Sequence, residues 1–430
     1  MTHQIGLQSF WLASAPPFTG GAEGPVEGKA DVAIIGGGYT GMSAAIALAK
    51  RGASVVVLEA GEVASEASGR NGGQCNAGTA HDYGALSDAL GRDRAMAYYR
   101  AHVDAVDSVE RLTLEEGIDC AFNRCGRLKL AAKPAHYEKF ARAYERLVAE
   151  VDPHVSLISP ERIGDEIGSD KFFGGLLQKT SAQLHSGRLG IGLAAAAARK
   201  GARIFEQALV TDVARQSDGQ WLVTTPRGAV VAKQVLIATG GAPFAGPFNW
   251  FRRRIVTVGS FVVATAPLPA PVLAQLFPHR RNYVTSKNIG NYFRLTDDHR
   301  LIFGGRARFA MSNDKSDVKG GHILQKTMTD LFPALADVKI DHVWGGNVDL
   351  TADRLPRAGE HDGLFYAMGY SGHGVQMSVH MGEKMAAVMD GHPDANPWRD
   401  LDWPSVPGHF GKPWFLPFVG LYYRFQDIIH

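Results

Sequence analysis

Asp31-Val-Ala-Ile-Ile-Gly-Gly-Gly-Tyr-Thr-Gly41, with Ser54-Val-Val-Val-Leu-Glu59 a short way beyond it, decides the fold. Its first five residues include the kind of β-branched, apolar run that is buried in a parallel strand. From Gly41 to Arg51 alanine and other apolar residues recur at helical spacing, and Gly52 ends the pattern. Ser54–Leu58 reads as a second buried strand, which makes the whole stretch a βαβ unit. Gly36, Gly38 and Gly41 fall at the GxGxxG positions between strand and helix. Gly36 permits the tight turn, Gly38 lets a pyrophosphate approach the backbone, and Gly41 lets the helix pack closely on the strand. The helix start at Tyr39-Thr40 offers free N–H groups and the positive dipole end to phosphate. Glu59, followed by Ala60, closes the second strand. An acid there accepts hydrogen bonds from ribose hydroxyls and repels a 2′-phosphate, favouring FAD or NAD over NADP.

Outward from this unit, 430 residues are enough for two domains and a large core. The 45% hydrophobic and 20% charged content is that of a globular chain. A net charge of +2 gives no electrostatic case for nucleic acid, and Arg252-Arg253-Arg254 reads as an exposed or locally paired loop. Cys75, Cys120 and Cys125 are odd in number and form no CxxC, which points to a reducing compartment. The start lacks a basic region followed by an apolar core, and no apolar run is long enough to span a bilayer. The expectation is a soluble cytoplasmic enzyme. No GxSxG, Walker or HxxxH spacing occurs, so hydrolase, ATPase and metal-centre readings fall away.

Helices are expected over 92–117, 134–151, 188–200, 316–332 and 374–390. Strands are expected at 126–130, 203–213, 220–225, 233–238, 255–265, 282–285, 292–295, 301–303 and 364–368. The order is α/β, then sheet, then α/β. It predicts a Rossmann-like nucleotide-binding domain (28–95, 152–250 and 344–430) with an inserted, mostly antiparallel substrate domain (96–151 and 251–343). An irregular arm (1–27) precedes them. Gly190-Ile-Gly192-Leu-Ala-Ala195 mimics a second fingerprint, but the polar Thr180–Gly187 before it is no buried strand, and a packing helix is the better reading. With one dinucleotide site, a single tightly held cofactor fits best.

Three further segments narrow the reading: Glu66-Ala-Ser-Gly-Arg-Asn-Gly-Gly-Gln74, Val235-Leu-Ile-Ala-Thr-Gly-Gly241 and Gly369-Tyr-Ser-Gly-His-Gly-Val-Gln-Met-Ser378. With the fingerprint, this set resembles the D-amino-acid-oxidase-like (DAO) flavoenzymes, which have the glutathione-reductase-2-type fold. It looks closest to the γ-glutamylputrescine oxidase and pipecolate oxidase-like branch. The resemblance implies that Gly36, Gly38, Gly41 and Glu59 hold the ADP half of FAD. Val210 would meet the adenine, and Thr239-Gly240 would lie near the pyrophosphate and ribose. Ser68, Gly69, Arg70, Asn71, Gly72, Gly73 and Gln74 would run along the flavin. Gly369, Tyr370, Ser371, Gly372, His373, Gly374 and Val375 would set a helix N-terminus at the flavin N1–C2=O edge. Such a placement stabilises the charge that reduction leaves there. The resemblance also implies oxidation of an amine or amino acid. Two departures stand out. Trp344-Gly-Gly-Asn-Val-Asp-Leu-Thr351 has no cysteine and the Ser68–Gln74 loop no histidine to bond the flavin, so non-covalent FAD is expected. Arg300-Leu-Ile-Phe-Gly-Gly-Arg306 has no lysine where sarcosine oxidases use one toward oxygen, so the acceptor is O2 or a quinone or carrier.

Arg306 is expected to clamp a substrate carboxylate or form a structural ion pair. Tyr292 and Tyr370 are candidates for the amine pocket or for the core. His373 either polarises the flavin, helps deprotonate the amine, or holds the turn. The aromatic C-terminus, Lys412 to Arg424, either packs on the protein or a partner subunit, or touches a membrane surface. A non-catalytic FAD-binding subunit of a complex is the reading from another class.

Overall fold

The computed structural model describes residues 6–241 and 248–429. Strand Lys29–Ile35 pairs in parallel with Val55–Leu58 on one side and with Gly228–Ile237 on the other. Arg203–Phe205 extends the sheet beyond Val55–Leu58, and the Arg357–His361/Leu364–Met368 hairpin extends it beyond Gly228–Ile237. Strand alternation explains the layers. Val32, Ile34, Val55 and Val57 point to one face, beneath helices Tyr39–Lys50, Arg92–Glu116, Ser186–Arg199 and Gly374–Met389. Ala33, Ile35, Val56 and Leu58 point to the other, under Trp221 and Val223 of a meander and under Phe251 and Trp403. Each valine, isoleucine or leucine so sandwiched contributes about 1.5–3 kcal/mol of burial, which is why these strands read as unbroken apolar runs. The strand order reverses between Lys29–Ile35 and Gly228–Ile237. That is where an open α/β sheet binds its ligand, and Gly36–Gly41, Glu59 and Thr239 all sit there at strand C-terminal ends.

The second sheet runs Ile340–Leu350, Val256–Thr265, Leu301–Gly305, Asn291–Leu295, Asn282–Thr285, Arg127–Leu130, Gly175–Gln178 and Ser156–Ile158. All its pairings are antiparallel except Arg127–Leu130 with Asn282–Thr285. One face stacks Tyr283, Phe293 and Phe303 at centroid spacings of 5.2 and 5.4 Å, over Leu324 and Met328 of helix Asp314–Leu331. The other face presents Val262, Tyr292, Ile302 and Trp344 toward the first sheet's domain. Sheet membership would assign Ser156–Ile158, Gly175–Gln178 and all of Ile340–Leu350 to the second unit, across the boundaries expected at 151/152 and 343/344. The fold is thus α/β, a Rossmann-like nucleotide-binding fold joined to a largely antiparallel second sheet.

The expected strand at 203–213 is two strands, Arg203–Phe205 and Asp212–Arg215, separated where Gln207 adopts φ 51°. The arm contains a short helix, Phe10–Ala13, capped by Ser9, whose Oγ accepts from the Trp11 N–H. Trp11 is 1% exposed.

Candidate cofactor and substrate site

The fingerprint turn is built on contacts that exclude a Cβ. Gly36 adopts φ 112°, and a Cβ there would lie 2.6 Å from the Ala238 carbonyl oxygen. A Cβ on Gly41 would strike the Gly36 carbonyl oxygen, and one on Gly38 would lie 2.9 Å from Ser68 Oγ. Helix Tyr39–Lys50 has no capping bond from the Gly38 position, and Tyr39 N–H donates to Ser68 Oγ at 3.0 Å. Glu59 accepts from the Gly37 and Gly61 N–H groups at 2.6 and 2.8 Å, while burial raises its carboxyl above the ordinary range. Ala208 N–H donates to the Glu59 carbonyl, which brings the Val210 segment beside it. Thr239 Oγ1 is buried without a partner among the described residues, next to Gly240 at φ 58°. A glycine cradle, an unfilled hydroxyl and a helix N-terminus together fit the pyrophosphate and ribose of FAD.

Tyr39 itself faces the core: its hydroxyl donates to the Ser186 carbonyl at 2.8 Å. A Cβ on Gly190 would run into Ala64 and come within 3.4 Å of Tyr39, and one on Gly192 would meet Ile118. The second glycine pair therefore serves close helix packing.

The Ser68–Gln74 loop folds on itself. Asn71 Nδ2 donates to the Ala67 and Ser68 carbonyls, and its Oδ1 accepts from Gly73 N–H at 2.8 Å and Ser186 Oγ at 2.6 Å. Arg70 donates to Gly345 O at 2.7 Å, and Trp344 Nε1 donates back to Arg70 O at 2.9 Å. Gln74 reaches Phe293 O of the second sheet at 3.1 Å. The arm seals the loop from outside: Ser9 Oγ donates to Gly69 O and Trp11 Nε1 to Asn71 O, both at 2.6 Å. Gly69 is glycine because a Cβ would strike the Ala64 carbonyl oxygen, with Leu12 Cδ2 close behind at 2.6 Å. Arg294 was not foreseen. It is 3% exposed, donates to Gly72 O at 3.1 Å and Leu184 O at 2.5 Å, and burial lowers its pKa to about 10. The one signal for it was its place two residues from Tyr292, on the same strand face.

The Tyr292 ring lies over Gly72 and Gly304, and a Cβ on Gly72 would sit 2.5 Å from its Cε2. Its hydroxyl pairs with Ser260 Oγ at 3.2 Å, and burial keeps the phenol protonated. Arg306 follows strand Leu301–Gly305. Burial and the nearby Arg354 depress its pKa, and it forms no hydrogen bond or ion pair among the described residues. Tyr370 instead joins the core: its hydroxyl pairs with Thr40 Oγ1 at 2.8 Å and ties the C-terminal turn to the fingerprint helix. That turn contains Gly369 (φ 76°), Ser371 (φ 52°) and Gly372 (φ 94°), a run that costs strain at Ser371. Helix Gly374–Met389 starts after it without a side-chain cap. His373 packs edge-on to His102 at 5.7 Å, its Nδ1 has no partner among the described residues, and burial holds the ring neutral.

Asp349 was also not foreseen. Its Oδ2 accepts from Gly369 N–H at 2.6 Å, and its carbonyl accepts from Ser371 N–H at 3.0 Å. Burial raises its carboxyl from 3.8 to about 6. The native state therefore holds a proton that the unfolded chain releases, and stability falls as pH rises through 6. Two pKa units correspond to about 3 kcal/mol. Asp349→Asn keeps an acceptor for Gly369. Its apoprotein should melt higher than the native apoprotein at about pH 8 and with it at about pH 4. A gap that persists on acidification would show that the carboxyl is not the cause.

The sequence profile of the family described as FAD dependent oxidoreductase (DAO) matches residues 31–388. Gamma-glutamylputrescine oxidoreductase of Escherichia coli is 30% identical over 403 residues, covering 92% of both chains. Glycine oxidase of Geobacillus kaustophilus is 28% identical over 389 residues, 89% of this chain and 98% of that one. The crystal structure of glycine oxidase from the same organism superposes with a TM-score of 0.72 at 22% identity, over 89% of this chain and 99% of the other. A cradle shaped for a dinucleotide, at the strand ends where the fingerprint predicts it, agrees with these likenesses: the chain belongs to the DAO family and is an FAD-dependent oxidoreductase.

Proposed function

We propose that the protein oxidises the C–N bond of a small amine that also carries a carboxylate, with a γ-glutamylputrescine-like amine as the best candidate. The observation that carries this is Arg306. A half-buried guanidinium with no hydrogen bond or ion pair among the described residues is costly to keep, and an anionic substrate group supplies the missing partner through two parallel hydrogen bonds. Bound FAD, held non-covalently, supplies the hydride acceptor at N5. The protein's own part is to bind, orient and exclude water. Arg306 fixes the carboxylate end. Tyr292, over Gly72 of the flavin-side loop, walls the amine end and stays a neutral donor. The N–H groups of Gly374 and Val375, at the uncapped start of helix Gly374–Met389, would meet the charge that reduction creates, while the His373 N–H is already given to the Tyr370 carbonyl. The neutral His373 adds no positive charge of its own. Helix Leu416–Ile429 closes over the Arg306 loop, where Gly420 rests on Phe309 and the Tyr423 hydroxyl accepts from Arg354 at 2.8 Å. The substrate loses a hydride and a proton to become an imine, which water converts to an aldehyde and an amine or ammonia. O2 is the proposed acceptor, giving hydrogen peroxide.

Arg306→Ala should raise KM for the carboxylate-bearing amine about 10- to 100-fold, the loss of a charged hydrogen-bonded pair, and leave a simple alkylamine nearly unchanged. Equal effects on both substrates would remove Arg306 from carboxylate binding. A cyclic amino acid of the pipecolate type is the second reading, favoured by the nearness of Arg306 to Tyr292, which suits a carboxylate close to the reacting amine. Comparing flavin reduction by the two substrates decides between them.

A further inference from the structure

The C-terminal helix Leu416–Ile429 is two-sided in an unusual sense. Its inner stripe is anchored: Leu416 is buried, Gly420 lies on Phe309, Tyr423 pairs with Arg354, and Asp427 accepts from Asn288 and Ile289 N–H groups. Its outer stripe is apolar. Phe418, Leu421, Tyr422, Phe425 and Ile428 are each more than half exposed, at spacings that put them on one helical face, and Trp414, in the turn just before the helix, is equally exposed. Other exposed large apolar side chains, such as Leu114 and Leu209, stand apart from one another. A patch of this size on one helix marks an interaction surface.

The charges around it define the partner. Between Trp403 and Ile429 the only acid is Asp427, and it is turned inward. Lys412 and Arg424 are exposed. Arg252 donates to the Phe410 carbonyl at 2.7 Å, and the Arg253 guanidinium lies 5.5 Å from the Phe410 ring, which brings two more cations to the helix base. Two copies facing each other here would bring cations together with no outward acid from this segment to meet them. An anionic bilayer meets both requirements: aromatic side chains enter the headgroup boundary while Lys and Arg pair with lipid charge. The helix is too short to cross, and no helix among the described residues is long and apolar enough to do so.

We propose that this helix is a docking face for an anionic phospholipid surface, lying in the plane of the interface. The docked molecule holds its Arg306 loop directly beneath the helix.

The test is flotation of the FAD-loaded protein with vesicles of phosphatidylglycerol or of phosphatidylcholine. The protein should float with phosphatidylglycerol at low salt, bind phosphatidylcholine far less, and release as salt rises. Phe418→Ser/Leu421→Ser/Phe425→Ser alters only exposed side chains, so its flavin spectrum should be native and its flotation lost. Arg253→Gln/Lys412→Gln should weaken partition about fivefold per cation removed. Failure to float with phosphatidylglycerol, or equal flotation of the triple variant, would overturn the proposal. So would a dimer, seen by light scattering, that the triple variant dissolves, because the face would then belong to a second copy of the chain.

Discussion

Gly41→Ala should give a folded protein that does not retain FAD. The added Cβ would strike the Gly36 carbonyl oxygen and lie 3.2 Å from Ile34 Cγ2, and both are fixed, Gly36 by its N–H bond to Leu58 O and Ile34 by the sheet. The helix start must move away from the strand, taking the Tyr39 N–H with it. The rest of that helix buries Met42, Ala44, Ala45, Ile46 and Leu48, so its packing survives a displaced first turn. FAD affinity should fall by about a hundredfold or more, roughly 2.7 kcal/mol. Quenching of flavin fluorescence on titration into apoprotein measures it, with circular dichroism as the control for folding. Native affinity in this variant would mean that the turn does not hold the cofactor.

The second large effect is expected far from the fingerprint. Trp11→Ala should cost about 3–5 kcal/mol, the range for truncating a large buried aromatic. Trp11 is 1% exposed and donates to Asn71 O. It lies 4.8 Å from the Arg294 guanidinium and packs so closely on Gly187 that a Cβ there would touch its backbone. Its loss leaves a cavity and an unmet carbonyl in the loop that the family resemblance assigns to the flavin. Urea unfolding of the apoprotein should show the destabilisation, and the loaded protein should lose FAD faster. A cost below about 1 kcal/mol would mean that the arm merely rests on the surface.

What the sequence reveals divides along physical lines. The βαβ unit was legible because its requirements are local: an apolar run, three glycines at fixed spacing, a helical period and an acid. The Thr239-Gly240 and Gly369–Gly374 turns could be placed only by resemblance, since glycine turns before helices are common. Strand Ile340–Leu350 does not read as a strand. Its Asp341, His342, Gly345, Gly346 and Asp349 break the alternation, and the glycines are there for neighbours: a Cβ on Gly345 would meet Asp317 and Ser312, and one on Gly346 would lie 3.1 Å from Arg70 Cβ. Asp349 gives no signal in the sequence and Arg294 only its place beside Tyr292, because burial of a charged residue is decided by distant elements. Trp11 was lost in a segment rich in Pro and Gly. The C-terminal helix reads only as an aromatic stretch, because Pro413, Pro417 and Gly420 disguise its period. Pro417 is accommodated in its first turn, where no intrahelical N–H bond is lost.

The most direct test of the central claim is an anaerobic titration of the purified protein, followed by its flavin absorbance. The protein should carry FAD that acid precipitation releases intact. A small carboxylate-bearing amine should bleach it, the corresponding amine without the carboxylate should require far higher concentration, and readmitted air should restore the colour with formation of hydrogen peroxide. A protein that takes up no FAD, or whose flavin no amine or amino acid reduces, would contradict the account.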